Sequence, residues 1–92
     1  MIVSFRHKDL RQLHETGKSA RLNPALCSRL VRLLDALDAA EGPDDFQMPG
    51  WRLHELSGDL NHFLSLSVNG NWRIIFRFED GDVVDVDLLD YH

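Results

Sequence analysis

Asp90-Tyr91-His92 sets a carboxylate, a phenol and an imidazole on consecutive positions where the last alternating apolar segment runs out. Each group can move a proton or hold charge, and histidine alone among the common side chains titrates near neutrality without help. Closing a sheet would not require all three. A purely structural reading competes with the functional one: the Tyr91 ring caps the core, Asp90 is solvated and His92 is a frayed end. Upstream, Asn71 and Arg73 flank Trp72, and His54 follows Leu53 in an alternating segment. An arginine held on a rigid strand offers a planar fork to a phosphate oxygen, although a carboxylate suits the same fork.

Those side chains need a scaffold, and the apolar periods outline one. Ile2-Val3-Ser4-Phe5 reads as a short opening strand, followed by a helix carrying Leu10 and Leu13 that stops at Gly17. Asn23-Pro24 is an N-cap followed by proline at the first helical position. It opens a helix whose Leu26, Leu30, Leu33, Leu34 and Leu37 keep a 3.6-residue period as far as Gly42-Pro43. Arg29, Arg32, Asp35 and Asp38 face outward and are spaced for ion pairs along that helix. From Trp51 onward the period becomes two: Trp51 to Glu55, then Leu64, Leu66 and Val68, then Trp72, Ile74, Phe76 and Phe78, then Val84, Val86 and Leu88. The expected fold is α+β, with two N-terminal helices packed on a twisted antiparallel sheet in a single domain over residues 1–92.

Register decides which residues share the uncovered face. Three-residue loops, Val68-Asn69-Gly70 and Glu79-Asp80-Gly81, each with glycine in the left-handed position, pair Leu66 with Trp72 and Phe76 with Val84. The large apolar residues then meet the helices. The other face displays Ser65, Ser67, Asn71, Arg73, Arg77, Asp85 and Asp87, interrupted by Ile75 and Leu89. Arg73 is expected across from Asp87, where a cross-strand ion pair would contribute at most about 1 kcal/mol.

Ninety-two residues, 43% hydrophobic and 27% charged, are ordinary for one soluble globular domain, with no apolar run long enough for a membrane span. The expected location is the cytoplasm. The lone Cys27 excludes an internal disulfide framework and reads as a small packed residue. A metal site from His54, Asp90 and His92 is conceivable, but no recognisable ligand spacing supports it; His7, His14 and His62 read as surface or cap residues. Net charge of −5 argues against general nucleic-acid binding. Its distribution is uneven, however: residues 1–34 hold seven Lys/Arg against Asp9 and Glu15, and residues 35–92 hold three Arg against thirteen acids. An anionic partner is therefore permitted on one side.

Arg6-His7-Lys8, Pro49-Gly50-Trp51-Arg52-Leu53-His54, Gly58-Asp59, Val68-Asn69-Gly70-Asn71-Trp72-Arg73-Ile74, Phe76-Arg77-Phe78-Glu79-Asp80-Gly81 and Asp90-Tyr91-His92 together resemble the HigB toxins of the RelE/ParE superfamily. The likeness runs over essentially the whole chain. It implies a bacterial toxin that enters the ribosomal A site and cuts mRNA during translation, restrained by a HigA-type helix-turn-helix antitoxin, with DNA met only through the antitoxin complex. Position by position, His54, Asn71, Arg73, Asp90, Tyr91 and His92 match residues that the family uses for RNA positioning and cleavage. Arg77, Arg6 and Lys8 are the further cations expected to contact RNA.

The implied chemistry is attack of a ribose 2′-hydroxyl on the adjacent phosphorus, with a base taking its proton, charge on the phosphoryl oxygens stabilised, and an acid protonating the departing 5′-oxygen. No cofactor is called for. His92 or His54 would serve as base or acid, Arg73 would stabilise phosphoryl charge, Tyr91 would hold or protonate, and Asn71 and Asp90 would position. One departure stands out: Ser57 occupies the place before Gly58-Asp59 where the family often has lysine. Two other readings follow, a ParE-like gyrase inhibitor without nuclease activity and a catalytically weak partner that retains antitoxin binding.

Overall fold

The computed structural model describes residues 1–90. Helix α1 spans Lys8–Thr16 and α2 spans Pro24–Ala39; the strands are β1 (His54–Glu55), β2 (Leu64–Ser67), β3 (Trp72–Glu79) and β4 (Asp82–Asp90). Short 3-10 turns at Pro43–Phe46 and Gly58–Leu60 punctuate the connections. The four strands form one antiparallel sheet in the order β1-β2-β3-β4, matching the expected α+β architecture.

The caps lie where the residue types demand them. His7 is the N-cap of α1, its Nδ1 accepting the Leu10 N–H at 3.3 Å. Gly17 ends that helix at φ +78°, and its N–H donates to the Leu13 carbonyl. At α2, Asn23 Oδ1 accepts from the Ala25 N–H at 3.0 Å and Pro24 occupies the first turn. The leucine stripe of α2 is buried throughout and packs with Leu10 and Leu13 of α1 onto Leu66, Ile74, Phe76, Val83 and Val86 of the sheet. Phe46, delivered by the 3-10 turn after α2, meets Phe76 at 5.3 Å and Phe78 at 6.0 Å between ring centroids.

Registers differ from those expected. Leu66 pairs with Ile74 and Ser67 with Arg73, so the first hairpin closes through Asn69-Gly70-Asn71. Gly70 is not left-handed; instead Asn69 Oδ1 accepts the N–H groups of both Asn71 and Trp72 at 2.9 Å and shapes the loop. This slip of two residues leaves every side chain of β2 on its expected face. The second hairpin closes through two residues, Asp80 at φ +53° and Gly81 at φ +85°, the conformation of a tight primed turn.

Tight closure pairs Phe78 with Val83 and Arg77 with Val84, so Val83, not Val84, faces the helices. A bulge then restores the pattern. Between Ile75 and Arg77 the register shifts, and Asp85 takes φ +56°, an extra residue on β4 that returns Val86 and Leu88 to the core side. The bulge is tied on both sides. The Asp85 N–H donates to Ser4 Oγ at 2.9 Å, and its carboxylate accepts from Arg77 Nε and Nη2 at 3.0 and 2.8 Å.

Residues 2–5 do not form a regular strand. They run parallel to β4 through isolated bridges, Ile2 with Val83 and Phe5 with Val86, because a bulged partner cannot present an unbroken ladder. The alternation over residues 51–55 likewise yields only a two-residue strand, since Gly50 (φ +84°) and Arg52 (φ +51°) turn the chain; Trp51 and Leu53 still pack against the core. Cys27 is half-buried and packs against that core, as expected. No described helix is long and apolar enough to cross a membrane.

Asp85→Val should destabilise the protein by about 1–3 kcal/mol in urea unfolding, because a β-branched residue is strained in the left-handed region. Asp85→Asn, which tolerates that region, should lose only the partly exposed ion pair, about 1 kcal/mol or less.

Candidate active site

Covering one face with helices leaves the other for β1, β2 and β3 to furnish. His54 lies opposite Ser65, and Arg73 lies opposite Ser67, so the three strands bring histidine, serines and arginine to one surface. A groove of about 470 Å³ is lined there by His54, Glu55, Leu56, Ser57, Leu60, Ser65 and Arg73. His54 is exposed, which leaves its imidazole accessible to a substrate. Ser57 lines the same wall, in the place where a lysine would have added positive charge.

Arg73 is held at two points on this surface. Its Nε donates to Ser65 Oγ at 2.9 Å, and its Nη2 donates to the Arg52 carbonyl at 2.7 Å. Ser65 is completely buried, so the hydroxyl that receives Nε is itself immobile. Two acceptors from different segments fix the plane of the guanidinium. The expected partner, Asp87, lies elsewhere. The bulge places Arg73 opposite Leu89 and Asp87 opposite Ile75, and the Asp87 carboxylate accepts from the Leu88 N–H at 2.8 Å.

Asp90 ends β4 directly opposite Trp72, beside the Arg73–Leu89 pair, and is exposed. Asn71 is exposed in the β2–β3 loop, two residues before Arg73. The fold therefore brings His54, Arg73, Asn71 and Asp90 to one end of the sheet. Tyr91 and His92 lie outside the described residues.

The remaining cations are arranged differently. Arg77 stands four positions from Arg73 on β3, about 13 Å along the strand, and is engaged by Asp85 and, at 3.8 Å, by Glu79. Arg6 lies over the buried Phe63 ring at 4.9 Å, with the Arg77 guanidinium 6.0 Å from the same ring. Lys8 is exposed on the first turn of α1 and does not line the His54–Arg73 groove. Arg29, expected to pair along the helix, instead donates to the Gly50 and Ser67 carbonyls at 3.3 and 3.2 Å.

Two contributors to the site were not identified as such from the sequence. Ser65 was visible as a polar-face residue, but its role as an anchor depends on burial. The Arg52 carbonyl depends on a left-handed backbone angle that follows from the turn at Gly50, which alternation cannot reveal.

Two helices cover one face of the four-stranded antiparallel sheet, and His54 and Arg73 share a groove on the other. The fold is similar to that of YafQ from E. coli (TM-score 0.65, 15% identity, 98% of this chain and 91% of that one). It is also similar to a structure of the YoeB-YefM complex from Staphylococcus aureus (TM-score 0.63, 15% identity, 100% and 95%). Residues 3–92 match the family model for the HigB-like toxin, described as the RelE-like toxin of the type II toxin-antitoxin system HigB. The chain is 36% identical over 92 residues to Endoribonuclease HigB of Proteus vulgaris, covering all of both chains. It is 37% identical over 94 residues to Toxin HigB-1 of Vibrio cholerae, covering all of this chain and 98% of the relative. The chain belongs to the HigB-like toxin family, and an antitoxin is accordingly its partner.

Ser65→Ala should cost about 1–3 kcal/mol in urea unfolding, because the half-buried Arg73 Nε–H loses its acceptor. Ser65→Thr, which keeps the hydroxyl, should recover part of that loss.

Proposed function

We propose that this toxin is an endoribonuclease that cuts mRNA in the ribosomal A site, acts in the cytoplasm and is restrained by a HigA-type helix-turn-helix antitoxin. The observation that carries the reading is the shared groove of His54 and Arg73, in which the arginine is immobilised by Ser65 Oγ and the Arg52 carbonyl. A fixed planar cation beside an accessible imidazole suits in-line attack by a ribose 2′-hydroxyl, because charge grows on the phosphoryl oxygens while a proton leaves the nucleophile.

The 2′-oxygen bonds to phosphorus as the bond to the 5′-oxygen breaks, leaving a 2′,3′-cyclic phosphate and a 5′-hydroxyl. His54 and His92 are the candidates for base and acid. Arg73 stabilises the phosphoryl oxygens, Tyr91 holds the phosphate or donates a proton, and Asn71 and Asp90 position the strand. Arg6, Arg77 and Lys8 give weaker electrostatic attraction farther from the chemistry, with Arg77 reduced by Asp85. With net charge of −5, the protein is a poor general RNA binder, and the ribosome supplies the RNA geometry and much of the attraction.

The test maps mRNA 5′ ends in cells briefly expressing the toxin, with translation running or blocked, beside Arg73→Ala and His92→Ala. Cuts within translated frames that disappear with blocked translation or either variant are expected. Arg73→Lys should restore little activity, because an ammonium cannot reproduce the two-point hold of the fork. Growth arrest without cuts would overturn the nuclease reading in favour of a gyrase inhibitor, and neither effect would leave an antitoxin-binding protein without nuclease activity.

A further inference from the structure

Arg73 forms a wall of two grooves, and the second has no assigned role. It has a volume of about 360 Å³ and is lined by Arg29, Arg52, Ser67, Asn69 and Arg73 among others. Three arginines thus line one groove with no Asp or Glu among its described lining residues, in a chain whose net charge is −5. Like charges brought together raise the free energy unless an anion joins them.

Arg29 and Arg52 are held without an ion pair to any described residue. Arg29 comes from α2, and its Nη2 donates to the Gly50 carbonyl at 3.3 Å and the Ser67 carbonyl at 3.2 Å. Both acceptors are neutral, and Arg29 makes no ion pair among the described residues. Its Nε is shut off from solvent with no hydrogen-bond acceptor. Arg52 uses only its backbone carbonyl toward Arg73, and its exposed side chain makes no ion pair with a described residue.

We infer that this groove is a second anion subsite, in which Arg29 and Arg52 take the phosphate that neighbours the scissile one in single-stranded RNA. The inference rests on the proposed nuclease reading for the identity of the strand. The geometric reason for choosing RNA is that both grooves meet at Arg73. A backbone crossing Arg73 with one phosphate beside His54 presents its next phosphate to Arg52 and Arg29. Guanidinium forks bind phosphate oxygens through paired N–H donors, and a site between two of them holds one anion from two directions.

The experiment uses the full-length toxin and a trinucleotide made uncleavable by a 2′-deoxy sugar at the scissile position. Binding is followed through the arginine Nε–H NMR resonances, and inorganic phosphate serves as the minimal probe. Saturable movement of the Arg52 and Arg29 resonances is expected with both. Replacing the neighbouring phosphate by a neutral methylphosphonate should weaken binding to the wild type about tenfold, the equivalent of one charged hydrogen bond. It should hardly affect binding to Arg52→Gln. Arg52→Lys keeps the charge and should fall between; since Arg52 is exposed, circular dichroism of both variants should match the wild type.

An equal penalty in wild type and Arg52→Gln would overturn the subsite, as would RNA binding that leaves both resonances unmoved. Movement caused by an aspartate-rich peptide but not by RNA would also overturn it, assigning the groove to the antitoxin. Cleavage on programmed ribosomes separates this inference from the nuclease reading. For Arg52→Gln the toxin concentration giving half-maximal rate should rise about tenfold with the maximal rate retained. If the wild type does not cleave but the methylphosphonate penalty appears as expected, the anion subsite stands and the nuclease reading fails.

Discussion

Two helices can bury one face of a sheet, and that inequality organises the molecule. The leucines of α2 and α1 must lose their contact with water, and only the Leu66, Ile74, Phe76, Val83 and Val86 side of the sheet offers them an apolar surface. Period-two alternation then sends the intervening residues to the opposite side. Ser65, Ser67, Arg73 and Arg77 occupy the uncovered face because their neighbours are needed in the core. The chemistry-bearing face is thus a by-product of one-sided burial, and changing the parity of a single strand would exchange site and core.

That constraint explains why a bulge sits in β4. The tight Asp80-Gly81 turn puts Val83 on the helix side, whereas Val86 and Leu88 at the far end of the same strand must also face the helices. Odd and even positions cannot both point inward along a regular strand. One extra residue reconciles them, and Asp85 supplies it in a left-handed conformation that aspartate accepts more readily than a branched residue. The arrangement also occupies Arg77, whose guanidinium secures the bulge through Asp85 and is thereby partly neutralised. Arg73, beyond the register shift, lies opposite Leu89 in the ladder.

Much of this was legible in the sequence because it follows from periodicity and capping. The α+β class, both helices, their Asn23 and Gly17 ends, the leucine stripe and the polar placement of Ser65 and Arg73 depend on residue type and spacing alone. The registers were less legible. Shifting a hairpin by two residues preserves every face, so alternation could not distinguish pairing of Leu66 with Trp72 from the observed pairing with Ile74. Asp85 carried no bulge signature that separated it from an ordinary polar strand residue, and Val84 was consequently placed on the wrong side. The same slip gave Arg73 an expected partner at Asp87, whereas its Nε and Nη2 donate to Ser65 Oγ and the Arg52 carbonyl.

Neutral anchors have an electrostatic consequence. A guanidinium locked by a carboxylate has spent much of its field before any phosphate arrives, while one held by a hydroxyl and a carbonyl is oriented at little loss of net charge. Arg77 illustrates the first case, and Arg29, held by two carbonyls, illustrates the second. In a protein with net charge of −5, long-range attraction for RNA is weak and ionic screening reduces it further beyond about 8 Å at physiological salt. Under the proposed nuclease reading, short-range, preorganised cations at the His54 end are the means by which this surface holds phosphate. Such a nuclease is selective by construction: it gains little from RNA at a distance and most from RNA already delivered to that end of the sheet in the right shape.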